Sequence, residues 1–217
     1  VNVPVETFPA LSGIDFVRHA FTLRVPGLDV KTDRETALQR LDQFHAKARH
    51  SLFGVDLPFA TAQQVHGREV AIVDENVRGC APGADGLITR AARVCLGIYV
   101  ADCCAVYLVD PKQRAVGLLH SGKKGTELGI VPHAIQKMRE TFDTDPRDLI
   151  VQLSPCIRPP HYEIDFASII IAQCRESGVQ HVFDSCENTG TDTQRYYSYR
   201  VERGQTGRML AFLALIF

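Results

Sequence analysis

No sign of charge dominates this chain of 217 residues: its 24 Lys and Arg are matched by 25 Asp and Glu, a formal net charge of −1. The basic excess that tracks a phosphate backbone is missing, which argues against a dedicated nucleic-acid-binding protein. Long apolar runs are missing too. The longest, Met209 to Phe217, falls well short of the roughly 20 residues a membrane-crossing helix needs. The opening stretch VNVPVETFPALSG has no basic segment followed by an apolar core, so no secretory leader is expected there. The seven cysteines are odd in number and lack the spacing of a small disulfide-stapled domain, so a reduced, cytoplasmic setting is expected. No repeat at a period of about 20–50 residues is visible. None of the eight histidines stands two positions from another, and there are two methionines. The His-x-His pairs of a trinuclear copper oxidase and the axial Met of a blue-copper site are therefore poorly supplied.

What remains is ordinary globular composition, 45% hydrophobic and 23% charged, which excludes wholesale disorder and suits one domain over residues 1–217. Residues 14–23 read as a strand. Thr32 followed by Glu35 is a capping-box signature for a helix over 33–49, whose Leu38, Leu41, Phe44 and Ala48 recur at helical spacing. Short runs rich in Val, Ile, Leu and Tyr predict strands over 59–65, 69–74, 94–101, 105–110, 115–120 and 149–153, with a last apolar strand over 207–217. Helices are expected near 126–142, weakened by Gly129 and Pro132, and over 166–177, capped by Asp165 and closed by Gly178. Helices covering such apolar strands make an α/β or α+β sandwich.

Chemistry concentrates where Ala101-Asp102-Cys103-Cys104-Ala105 enters a strand that returns, through Asp110-Pro111-Lys112-Gln113, to His120. If Asp110 and Gln113 bracket the turn of an antiparallel hairpin, His120 lies opposite Cys103, with Cβ atoms about 4.5–5.5 Å apart. A slip of one residue would substitute Cys104, which points to the other face. A thiol beside an imidazole serves as a pair of zinc ligands, as an activated nucleophile, or simply as a buried cysteine near a satisfied histidine. His66, at a strand end before Gly67, is a candidate third ligand, although a lone histidine there is commonly structural. Gly122-Lys123-Lys124-Gly125-Thr126 leads into a helix and offers either an anion site or a solvated turn; it lacks the order of a Walker A loop.

The motifs occur in a familiar order. They are Phe21-Thr22-Leu23-Arg24, Gln64-Val65-His66-Gly67, Ala84-Asp85-Gly86, Ala101-Asp102-Cys103-Cys104-Ala105-Val106 and His120-Ser121-Gly122-Lys123-Lys124-Gly125. Ser154-Pro155-Cys156-Ile157, Tyr162-Glu163-Ile164, Tyr197-Ser198-Tyr199-Arg200 and Gly207-Arg208 follow. From about residue 16 onward the chain resembles the laccase-domain family, also called multicopper polyphenol oxidases, whose bacterial members are read as purine nucleoside phosphorylases. The resemblance implies α/β/β/α layers with mixed sheets, and a metal, zinc with copper as the alternative, held by His66, Cys103 and His120. It implies phosphorolysis of adenosine, inosine or methylthioadenosine, with adenosine deamination ascribed to relatives. Arg24, with Lys123 or Lys124, is expected to neutralise phosphate, Asp102 and Cys103 to take part in catalysis, and Tyr199 and Arg200 to line the pocket. Small-molecule substrates and a monomer or weak homodimer are expected. Lys123-Lys124 stands where the family pattern has Trp-Arg, Ala105 where it has Pro, and Ser154 where it has Gly. The alternatives are a copper-dependent polyphenol oxidase, a metal-free cysteine hydrolase and a diverged, non-catalytic member.

Overall fold

A computed structural model describes residues 3–76 and 79–217. In chain order the elements are β1 (Val5–Glu6), α1 (Pro9–Ser12), β2 (Val17–Thr22), α2 (Arg34–Phe53), β3 (Phe59–Ala62), β4 (Val70–Ile72), β5 (Gly79–Ala81) and β6 (Gly86–Thr89). They continue as β7 (Cys95–Val100), β8 (Cys104–Asp110), β9 (Ala115–Ser121), α3 (Lys123–Glu127), α4 (Ile130–Phe142), β10 (Ile150–Leu153), α5 (Phe166–Glu176), β11 (His181–Asp184) and β12 (Met209–Leu215). The strands form two mixed sheets, ordered β1-β2-β12-β7-β3-β5 and β11-β10-β8-β9-β6-β4.

Period-two alternation decides which side chains meet between the sheets. From β8, Ala105, Tyr107 and Val109 face Phe21, Leu96, Ile98, Ala211 and Leu213 of the other sheet in one buried cluster. The alternate residues Cys104, Val106 and Leu108 face α4 and α5 through Ile135, Met138 and Ile170. On the far side Leu210, Phe212 and Ala214 of β12 meet Ala48 of α2. Both faces of β8, β9 and β12 are buried, so these strands read as unbroken apolar runs rather than alternating ones. The layers are α2, sheet, sheet, then α4 with α5, the arrangement the resemblance implies. Each large apolar side chain so enclosed contributes roughly 1.5–3 kcal/mol. Among the described residues no helix is long and apolar enough to cross a membrane.

Departures from the sequence reading have local causes. The cap of α2 is Asp33, whose carboxylate accepts from Thr36 N, rather than Thr32, and the helix runs on to Phe53, where Gly54 closes it in the left-handed region. The expected helix over 126–142 is split because Gly129 takes φ +74°, separating α3 from α4. The strand from Phe59 stops at Ala62, since Gln64 turns to φ +62°. Asp165 does cap α5, accepting from Ser168 N. The hairpin register differs by two residues: Asp110 pairs with Ala115 and His120 with Ala105. The Asp110 carboxylate accepts the N–H groups of Lys112 and Gln113, and Arg114 at φ +48° completes a longer turn. An even slip keeps every side chain on its face, so Cys103 still lies on the His120 side and Cys104 on the helix side.

Candidate metal centre

Three chain segments deliver the donors. Cys103 sits in the bend between β7 and β8, His120 near the end of β9, and His66 in the loop after β3. Their ligand atoms all lie within 4.8 Å of one another, with His66 exposed, Cys103 half-buried and His120 buried. The two imidazole rings meet edge to face, centroids 4.8 Å apart.

One fully buried carboxylate organises the cluster. Asp85 Oδ1 lies 2.8 Å from His120 Nδ1 and accepts His66 N–H at 2.9 Å. Its Oδ2 accepts the N–H groups of Val65 and Gly67 at 3.1 and 2.7 Å. Successive N–H groups converge on one anion where right- and left-handed backbone alternate, and here Gln64 and His66 take φ +62° and +60°. The carboxylate thus fixes the loop that bears one donor and the ring that bears another. Burial would raise the Asp85 carboxyl, but hydrogen bonds from His120 and the loop hold it below its ordinary value. A zinc-ligating histidine commonly has its second ring nitrogen tied to a carboxylate in this way.

Burial disfavours the charged forms of Cys103 and His120 as well. The His120 charge and hydrogen bonds from His120 and His66 nevertheless bring the thiol down to about 6. The thiolate, with Asp85, in turn lifts His120 to about 9. Gly122 leaves room for the thiol: a Cβ there would stand 2.5 Å from Cys103 Sγ and would force the sulfur to shift. Two nitrogens and a thiolate sulfur are the donor set that suits zinc, with further coordination positions left for water or substrate. The residues fit the metal the family implies.

The cluster opens into a cavity of about 840 Å³, within the range of small-molecule sites. Its lining includes His66, Asp102, Cys103, His120, Lys123, Tyr199 and Arg200. Arg24 and Lys124 are not among its lining residues. Arg24 donates to Glu202 Oε2 at 2.5 Å and to Tyr196 O at 3.2 Å, and its guanidinium lies 4.4 Å from the centroid of the Tyr197 ring. Arg24 is thus paired with a carboxylate outside the cavity lining. Asp102, at φ +83°, accepts from Thr189 Oγ1 and Arg200 N, both at 2.7 Å, anchoring the segment that carries Tyr199 and Arg200. Burial raises its pKa despite those bonds.

Sequence reasoning assigned no role to Arg34, Tyr99, Arg203 or Arg208, all of which line the cavity, nor to Asp85. Arg208 and Asp85 stood inside quoted motifs, whereas Arg34 and Arg203 carried no signal.

The family model described as multi-copper polyphenol oxidoreductase laccase matches residues 26–167 and 162–216. The chain belongs to this family. It is 30% identical to the purine nucleoside phosphorylase YlmD of Geobacillus stearothermophilus, with 70% of each chain covered. A purine nucleoside phosphorylase of Deinococcus radiodurans is 29% identical over 92% of this chain and 89% of its own. The fold matches the crystal structure of Geobacillus stearothermophilus YlmD with a TM-score of 0.84 at 24% identity, covering 97% of this chain and 94% of that one. It also matches a Bacillus licheniformis hypothetical protein YfiH, TM-score 0.81 at 22% identity, with 92% of both chains covered.

Proposed function

We propose that the protein is a zinc-dependent purine nucleoside phosphorylase that acts on adenosine, inosine or methylthioadenosine, with adenosine deamination as a second activity of the same centre. The observation that carries this reading is the convergence of His66, Cys103 and His120 on the floor of a cavity whose lining is rich in cations and aromatic rings. The names of the relatives support it.

In phosphorolysis a phosphate oxygen bonds to C1′ as the C1′–N9 bond breaks, and the electron pair leaves with the purine, which then takes a proton. Arg208 is the residue suited to hold the phosphate. It is buried, its Nη1 is pinned by the carbonyls of Thr206 and Gly207, and Arg34 adds a like charge nearby. Burial first, and Arg34 second, lower the Arg208 pKa, and Cys103 and Asp102 act in the opposite direction. Charge aimed in advance at a developing anion is worth more in such a cavity than in water. Tyr162 and Tyr199 offer faces for the base, replacing the aromatic side chain that Lys123 does not supply. Zinc, when bound, supplies Lewis acidity.

Elemental analysis of protein purified without added metal, run beside a screen of adenosine, inosine, guanosine and methylthioadenosine with and without phosphate, tests the reading. Stoichiometric zinc with phosphate-dependent release of base is expected. Base release that survives chelation would favour the cysteine hydrolase, and bound zinc without turnover the non-catalytic member. The absence of His-x-His pairs weighs against phenol oxidation.

A further inference from the structure

The charge lining the cavity exceeds what one phosphate balances. Five cationic side chains face it: Arg34 at the start of α2, Lys123 at the start of α3, and Arg200, Arg203 and Arg208 from the segment before β12. Arg200 is paired with Glu163. Among the described residues, none of Arg34, Lys123, Arg203 and Arg208 has a salt-bridge partner. The lining offers one carboxylate against these four, Asp102, already bound to Thr189 and Arg200 N. Three positive charges remain in excess, whereas a phosphate group carries about −1.5 to −2 at neutral pH. Lys123 adds to that excess at a position where the family pattern has an uncharged Trp. Converging cations of one sign in a cleft focus the potential and raise the local concentration of anions.

We infer that the cavity takes two phosphoryl groups at once, the second carried on the sugar of the substrate, so that a purine nucleoside monophosphate is a ligand of this site alongside inorganic phosphate. Lys123 and Arg203, exposed at the cavity, are the residues that recognise the second group, while Arg208 with Arg34 holds the first. The inference rests on the phosphorylase reading for the first phosphate, but its test reads binding rather than turnover.

Calorimetric titration of the zinc-loaded protein with adenosine, adenosine 5′-monophosphate and adenosine 3′-monophosphate, each with and without saturating inorganic phosphate, decides it. One monophosphate should bind about tenfold more tightly than adenosine, equivalent to ~1.4 kcal/mol, in both conditions. The isomer that does so identifies the sugar position. Lys123→Met or Arg203→Met should reduce that preference to about twofold or less while leaving zinc content intact. The inference is overturned if neither isomer is preferred, if the preference vanishes once inorganic phosphate is present, or if both variants keep it. Absence of phosphorolysis with the preference intact would instead remove the phosphorylase reading alone.

Discussion

The floor and the wall of the cavity are built by different rules. At the floor, His66, Cys103 and His120 stand beside strands buried on both faces, and one carboxylate holds two of them through four hydrogen bonds. At the wall, Arg34, Lys123 and Arg203 are exposed and have no ion-pair partner among the described residues. The floor is over-determined by its contacts; much of the wall is held by the backbone that carries it. Changes at the wall can therefore redirect ligand preference at little cost in stability, whereas changes at the floor disturb the centre itself.

The sharpest way to break the contrast is at the donors. Cys103→Ala should abolish tight zinc binding, because the remaining pair of imidazoles rarely holds the metal against water. Cys104→Ala, on the opposite face of the sheet, should leave zinc in place. Metal content of the two purified variants reads this directly, and the reverse result would reassign the ligand.

Asp85→Asn comes next. Losing the carboxylate that orients His120 and the His66 loop should weaken zinc about 10–100-fold. Competition with a chromophoric chelator measures it, and unchanged affinity would show that the donors are placed without it.

Arg24→Ala tests where the wall is knotted together. Glu202 Oε2 accepts from Arg24, Thr206 Oγ1 and Ser198 N, so removing the guanidinium should cost about 1–3 kcal/mol in denaturant unfolding. The phosphate dependence of any turnover should stay as in the parent protein. A lost phosphate response at full stability would return Arg24 to the anion site.

The smallest effect concerns two buried histidines, of which His45 packs behind the wall against Tyr99, ring centroids 5.6 Å apart. Burial holds His19 and His45 neutral, lowering each from 6.5 to about 4. A base with a depressed folded pKa binds fewer protons folded than unfolded, so its stability is complete above about pH 6.5 and is lost as pH falls toward 4. His19 Nε2 also accepts Phe8 N–H, which requires the neutral ring. His45→Leu should flatten the decline of the unfolding midpoint across that window; an unchanged slope would assign the decline to other groups.

How much was legible varies in the same way as the contacts do. The strands around Cys103 and His120 are apolar on both faces, and their pattern, with the Asp110-Pro111 turn, brought thiol and imidazole to one face even with the register two residues off. Asp85 lay in a quoted motif, yet no local pattern says that a carboxylate will collect N–H groups from a loop many residues upstream. Arg24 reads as an anion ligand until the fold brings Glu202 to it. The short β5, β6 and β11 were not anticipated, because three or four residues carry too little periodicity to stand out.

By itself the sequence determined the layered class, the face on which Cys103 lies and the cap of α5, since alternation, apolar runs and capping chemistry are properties of neighbouring residues. Tertiary structure alone decided which charges meet. Arg34, Lys123, Arg203 and Arg208 converge on one cavity, and Arg24 is withdrawn from it, because long-range sheet pairing sets their positions and Coulomb interactions depend on distance in space rather than along the chain.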